Sequence, residues 1–148
     1  MNVIRAQVTD VTDAAPLFAA YREFYGQPYD LEASAAFLTE RLTRDESIVL
    51  LARDDDGSAV GFTQIYPLFS STELSPIWLL NDLFVDPDAR GTGAVDALLD
   101  TAAALAKDAG IMAIELATAH TNHRAQAVYD RSGYVIDEVY RHYERPID

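Results

Sequence analysis

From Val3 to Val8 apolar and polar residues alternate, the period of a strand with one face on a core. Thr9-Asp10-Val11-Thr12-Asp13 then supplies helix-capping oxygens, and from Ala14 to about Tyr25 the residues Leu17, Phe18, Tyr21, Phe24 and Tyr25 recur at helical spacing. Gly26-Gln27-Pro28 stops that helix. A second is predicted over Leu31–Arg44 through Ala35, Phe37, Leu38 and Leu42. Ser47–Arg53 and Val60–Tyr66 read as strands joined by Asp54-Asp55-Asp56-Gly57, a hairpin signal. Pro67–Pro76 reads as a polar loop. Ile77–Val85 is nearly continuously apolar, as a central strand covered on both faces should be. A helix from about Gly93 to Lys107, with Val95, Leu98, Leu99, Ala102 and Ala106 on one side, ends at Gly110. Ile111–Thr118 reads as a buried strand. Asn122 caps a helix that Gly133 closes, and Tyr134–Ile136 and about Val139–Arg145 read as final strands. The predicted order is β-α-α-β-β-β-α-β-α-β-β, with a right-handed parallel crossover between Ile77 and Thr118.

Composition bounds the answer. A chain of 148 residues and 16.3 kDa, 49% hydrophobic, fits one domain (1–148) with a buried core. No stretch reaches the roughly 20 apolar residues of a membrane helix. No basic segment followed by an apolar one opens the chain, so a cytoplasmic location without membrane attachment is expected. Cysteine is absent, which excludes disulfides, thiolate zinc sites and cysteine nucleophiles, and no metal is expected. A formal charge of −13 and a pI near 4.4 exclude nucleic-acid backbone binding as a main role. The acidic runs fit either general solubility or adaptation to high salt, where a dense carboxylate surface stays hydrated.

The segment Leu79–Val95 is the most informative. It reads as strand, tight turn, glycine-bearing loop and helix start, a junction offering free backbone N–H groups at the positive end of a helix dipole. Such a point suits a phosphate. Two glycines let backbone approach the ligand closely and aim N–H groups inward. A dinucleotide fingerprint fails because Asp96 stands where the third glycine belongs, and the Gly-Lys-Ser/Thr of a P-loop is missing. Gly-x-Gly alone is equally compatible with a simple turn.

Two motifs together go further. Arg90-Gly91-Thr92-Gly93-Ala94-Val95 resembles the R-x-x-G-x-G/A signature of the GNAT superfamily of N-acetyltransferases, with Val95 in place of the usual Gly or Ala. Asn122 to Tyr134 resembles that superfamily's N-x-x-A-x-x-x-Y-x-x-x-G-F/Y helix, and the element order agrees over nearly the whole chain. The resemblance implies an α/β (α+β) acyltransferase fold: a mixed, mostly antiparallel sheet, helices on both faces, and a parallel strand pair splayed for the cofactor. It implies acetyl-CoA as co-substrate. Arg90, Gly91, Thr92, Gly93, Ala94 and Val95 would enclose its pyrophosphate. The backbone of Leu83, Phe84 and Val85 would pair with the pantetheine arm, and Asn122 would touch it as well as cap its helix. A homodimer is a common state in the family.

The implied reaction is direct attack of a neutral amine on the thioester, which needs a base, an oxyanion donor and an acid for the departing thiolate. Tyr129 aligns with the family's general acid, and a phenol with a pKa near ~10 holds a proton at neutral pH. Packing on the sheet is the alternative role for this side chain. A backbone N–H within Leu83–Val85 is the natural oxyanion donor. Asp82 is a carboxylate in an otherwise apolar strand, where burial raises its pKa, so it reads as base or as a structural acid. Deprotonation through water is a third route, and His120 an outside candidate.

The acceptor pocket is expected to draw on Glu23, Tyr25, Tyr66 and Asn81, with Trp78, the Phe69-Ser70-Ser71 loop and Tyr140 nearby. Aromatic and acidic groups together suit a cationic amine. Leu80–Val85 resembles the polyamine and diamine acetyltransferase branch, which carries Glu at the position of Asn81; the substitution points to a less charged small-molecule amine. A protein or peptide N-acetyltransferase and a non-catalytic acetyl-CoA-binding regulatory module are the competing readings.

Overall fold

The computed structural model describes residues 1–147, which divide into two compact units, Met1–Ala117 and the part from Thr118 onward. In the first unit five strands form one sheet in the order β1-β2-β3-β4-β5. They are β1 (Asn2–Arg5), β2 (Ile48–Arg53), β3 (Ala59–Ser70), β4 (Ser75–Val85) and β5 (Ile114–Glu115). The pairings from β1 to β4 are antiparallel, and β4 with β5 is parallel. Helices α1 (Val11–Phe24) and α2 (Leu31–Thr43) pack on the face that carries Ile4, Val49, Leu51, Phe62 and Phe84. Successive strand residues point to opposite faces. The buried Leu50, Thr63 and Val85 therefore look the other way, where α3 (Ala94–Asp108) packs through Leu98, Leu99, Ala102 and Ala106. The implied acyltransferase fold is present, with helices on both faces and one parallel pair.

Local chemistry sets the boundaries. The Asp30 carboxylate accepts the Ala33 N–H at 2.9 Å and starts α2. In the β2–β3 turn the Asp54 carboxylate accepts the N–H groups of Asp56 and Ser58, and Gly57 sits at φ +85°, as the hairpin signal predicts.

Two expectations for this unit need correction. Pro67–Pro76 is not a polar loop, because β3 and β4 stay paired to Ser70↔Ser75 and only Ser71–Leu74 turns. This distal ribbon is exposed on both sides at Leu68 and Phe69, so it has no core-facing period to detect. The buried strand expected over Ile111–Thr118 shrinks to Ile114–Glu115, paired as Trp78↔Ile114 and Leu79↔Glu115.

The reason for the short pairing lies in β4. Gln64 pairs with Asp82, but the next residue, Ile65, pairs with Leu80. Asn81 is therefore an extra residue, a β-bulge that kinks the strand and raises its twist just past the last β4–β5 pair.

In the second unit α4 (His123–Arg131) begins at Asn122, whose side-chain oxygen accepts the Ala125 N–H at 3.1 Å. It ends in a Schellman arrangement: Gly133 at φ +86° lets the Tyr134 N–H reach the Tyr129 carbonyl at 3.0 Å. The strands expected at Tyr134–Ile136 and Val139–Arg145 do not form among the described residues. Asp137 instead accepts the N–H groups of Val139 and Tyr140 at 2.8 and 2.9 Å, a local bond that competes with a ladder. Those two bonds hold its carboxyl below the usual carboxylate range. Val135, Ile136, Val139, Tyr140, Tyr143 and Ile147 are all exposed.

Candidate active site

Asp82 is the centre of the polar chemistry in the first unit. It is 4% exposed, on the sheet face under α1 and α2, because its cross-strand partner Gln64 lies two residues from the core-facing Phe62. Gln64 Nε2 donates to Asp82 Oδ2 at 2.7 Å, and Asn81 Nδ2 donates to Oδ1 at 3.0 Å. The Tyr21 hydroxyl from α1 also bonds the carboxylate and lies 3.4 Å from the Asn81 carbonyl. Thr63 Oγ1 donates to the Asp82 backbone carbonyl at 2.7 Å. Burial pushes the carboxyl above its ordinary value, while Gln64, Tyr21 and Asn81, in that order, pull it back. The balance is a raised pKa on a carboxylate that accepts from three side chains. That is what a proton acceptor for an ammonium group needs.

Aromatic rings surround this carboxylate. Tyr21 stacks edge-on against Tyr25, Phe62 and Phe84 at 4.9, 5.9 and 6.4 Å, and Phe24 lies 5.2 Å from Tyr25. Tyr66 is close enough to feel the Asp82 charge. Its hydroxyl is pushed up to about 12 by burial first and by Asp82 second, with Arg41 of α2 opposing. Arg41 is engaged elsewhere, over the Phe37 ring at 4.8 Å and with Glu46 at 2.6 Å.

One edge of β4 is open. The Asp86 N–H donates to the Val60 carbonyl at 2.9 Å, so Asp86 and, two residues back, Phe84 turn their backbone groups to β3. Leu83 and Val85 then face the opposite edge, where the parallel ladder stops at Leu79↔Glu115. These outward N–H and C=O groups match an extended amide chain.

Next along the chain, the Arg90–Val95 turn leads into α3. Gly91 and Gly93 adopt φ +83° and +88°, a region that disfavours side chains, and a Cβ at either would meet nothing within 4 Å. The first helical bond runs from the Ala97 N–H to the Gly93 carbonyl at 3.0 Å, so the N–H groups of Ala94 and Val95 precede the helical ladder. Exposed Arg90 adds a cation. Open space, left-handed glycines and a helix start form an anion cradle.

The remaining predicted residues fall as follows. Tyr25, Asn81 and Asp82 meet Tyr21 and Tyr66 feels the Asp82 charge, whereas exposed Glu23 lies two residues along α1 from Tyr21 and so on the far side of that helix. Trp78 is a core residue paired with Ile114, and Phe69, His120 and Tyr140 are exposed. Tyr129 and Asn122 belong to the second unit. There Tyr134 packs edge-on on Tyr129 at 5.8 Å and has its own hydroxyl pushed up by burial. Sequence reasoning missed Tyr21, Gln64 and Ser47 as site residues. The signal for Gln64 was a polar residue at the core-facing parity of its strand.

The comparisons agree with this fold. The model of the Acetyltransferase (GNAT) family matches residues 14–134. An uncharacterised N-acetyltransferase of Bacillus subtilis, YhfO, is 44% identical over 143 residues, covering 97% of this chain and 95% of the relative. An aminoglycoside N(6')-acetyltransferase of Stenotrophomonas maltophilia is 35% identical over 97 residues, covering 60% of this chain and 63% of the relative. The crystal structure of a probable acetyltransferase superposes with a TM-score of 0.95 at 38% identity, over 100% of this chain and 99% of that one. With a family match spanning both motifs and a relative alike over nearly its full length, the chain belongs to the Acetyltransferase (GNAT) family and is an N-acetyltransferase.

Proposed function

We propose that this single-domain protein transfers the acetyl group of acetyl-CoA to a primary amine of a small molecule, by direct attack in a ternary complex. The observation that carries this reading is the open edge of β4 running into a glycine-bearing anion cradle. Arg90, Gly91, Thr92, Gly93, Ala94 and Val95 hold the pyrophosphate. Leu83, Phe84 and Val85 offer backbone to the pantetheine amides, and a strand N–H there receives the developing oxyanion. Asn122 contributes to the same arm. Asp82 takes a proton from the ammonium group of the acceptor, directly or through one water. The freed lone pair attacks the thioester carbonyl, the nitrogen sheds its second proton to solvent, and the C–S bond breaks to release the thiolate. Tyr129, by its place in the helix motif, returns a proton to the sulfur.

Tyr25, Tyr66 and Asn81 form the acceptor side, with Glu23 left outside it on the far side of α1. An aromatic wall over a carboxylate supports a cationic amine. Asn81 contributes an amide to Asp82 where the diamine branch has a carboxylate, so one acidic group fewer faces the acceptor. That supports an amino acid or another amine of modest charge. The named aminoglycoside relative, itself an enzyme for a small-molecule amine, is consistent with this class.

We further propose that the protein is a cytoplasmic homodimer without nucleic-acid, membrane or metal partners. Six large apolar side chains exposed between Val135 and Ile147 support a covering second copy. Free-thiol release from acetyl-CoA, measured with a panel of small amines, amino acids and peptides, tests the function. Turnover with small amines supports it. Turnover with peptides alone, or cofactor binding without turnover, replaces it by a protein-directed enzyme or a regulatory module.

A further inference from the structure

Ser47, Gln64 and Asp82 form a directed polar chain from the residue before β2 across β3 to β4, on a mostly apolar sheet face. Ser47 opens toward β2 and is buried; Gln64 is fully buried on β3; Asp82 lies on β4. Ser47 Oγ donates to Gln64 Oε1 at 3.0 Å, and Gln64 Nε2 donates to Asp82 Oδ2 at 2.7 Å. An amide has two ends that differ in chemistry but hardly in shape. The hydroxyl of Ser47 fixes which end faces which partner. With the amide reversed, its carbonyl oxygen would meet the carboxylate lone pairs and Asp82 would lose a donor.

We propose that Gln64, locked by Ser47, is a positioning residue that keeps Asp82 in the orientation and charge state required of the base. The inference rests on the reading of Asp82 as that base. A buried polar residue without such a purpose is at a disadvantage here, since Met or Leu fills the same volume with no donor or acceptor to satisfy. The bond is short and runs to a group that alternates between charged and neutral forms, so its strength changes during each cycle. The bond stabilises the carboxylate form, offsetting burial, and holds Oδ2, while three donors on four lone pairs leave one for the incoming proton. The N–H bond of the acceptor breaks as an O–H bond forms on Asp82.

Other ionisable groups around Asp82 are few. Tyr21 reaches it from α1, Tyr66 from β3, and Arg41 of α2 acts on Tyr66 while paired with Glu40 and Glu46. Tyr66, pushed up to about 12, stays protonated where a carboxyl titrates. The acid limb of the rate profile therefore reports Asp82.

The test compares kcat/KM against pH for the wild type, Gln64→Met, Ser47→Ala and Asp82→Asn. It adds a carbon NMR titration of the Asp82 carboxyl in the intact protein. Gln64→Met removes a donor to the carboxylate, so the acid limb and the NMR midpoint should both rise by about one pH unit or more. Ser47→Ala, the gentler change should Gln64→Met fail to fold, should move both in the same direction by less. KM for acetyl-CoA should hold in each. If Asp82→Asn abolishes the limb while Gln64→Met and Ser47→Ala leave it and the NMR midpoint where the wild type has them, the positioning role is overturned and the base survives. If Asp82→Asn keeps the wild-type limb, the base reading falls, and this inference with it.

Discussion

Replacing Gly93 by Ala separates backbone strain from ligand approach. Gly93 sits at φ +88° and ψ 4° as the residue before α3. A Cβ there touches nothing within 4 Å, so no steric clash arises inside the protein. What remains is the intrinsic cost of holding an L-residue in the left-handed region, about 1–2 kcal/mol. For a chain of 148 residues that corresponds to a Tm lower by very roughly 2–8 °C. Gly57, in the β2–β3 turn, provides a matched control, with φ +85° and again nothing within 4 Å. Gly57→Ala should lower Tm by a similar amount and leave kinetics unchanged. Gly93→Ala should do so too, and in addition raise KM for acetyl-CoA about tenfold, the factor equivalent to about 1.4 kcal/mol, because its methyl occupies the space where a pyrophosphate meets the backbone. Differential scanning fluorimetry and steady-state kinetics on both variants decide the matter. Equal KM values for acetyl-CoA in the two variants would refute the phosphate cradle, whatever their stability.

Three further outcomes are expected. Tyr129→Phe should lower kcat by about 10²-fold or more, the usual contribution of a positioned acid, with little change in KM; an unchanged kcat would remove Tyr129 from the chemistry. Tyr66 has a folded-state pKa pushed up to about 12 from 10.0, so between those values the unfolded chain ionises this group while the folded one does not. Stability should therefore be unaffected by this residue below pH 10 and fall by about 2 kcal/mol as pH rises to 12, a loss absent from Tyr66→Phe in urea titrations at several pH values. Phe62→Ala deletes a fully buried ring at the centre of the α1–α2 face and should cost about 3–5 kcal/mol in chemical denaturation; a cost under about 1 kcal/mol would mean that the core is misdescribed.

Most of the fold and part of the site were legible in the residues. Caps and breakers placed α1, α2, α3 and α4 to within a few positions, because Asp30, Gly93, Asn122 and Gly133 act locally. Asp82 was visible as a carboxylate in an apolar run. Strand partners were less visible. Tyr134–Ile136 and Val139–Arg145 read as strands from their residues, but a ladder needs a neighbour, and the local bonds of Asp137 took its place. Pro67 and Pro76 looked like breakers, yet both are tolerated in an exposed two-stranded ribbon, opposite Trp78 and Phe69. Gln64 escaped notice because its partner Ser47 is 17 residues away and only the β2–β3 register brings them together.

The extra residue in β4 carries a consequence for stability. Gln64 and Ile65 point to opposite faces, so their partners Asp82 and Leu80 do too, although two residues apart they would share a face in an unbroken strand. Deleting Asn81 would make Leu80 and Asp82 adjacent, leave every side chain on its present face and straighten the strand. The shortened chain would run on beside β5 and shut the gap proposed for the pantetheine arm, gaining hydrogen bonds as it lost that opening. An engineer seeking only a sturdier protein would make that deletion first, and would be left with a well-folded, inert one.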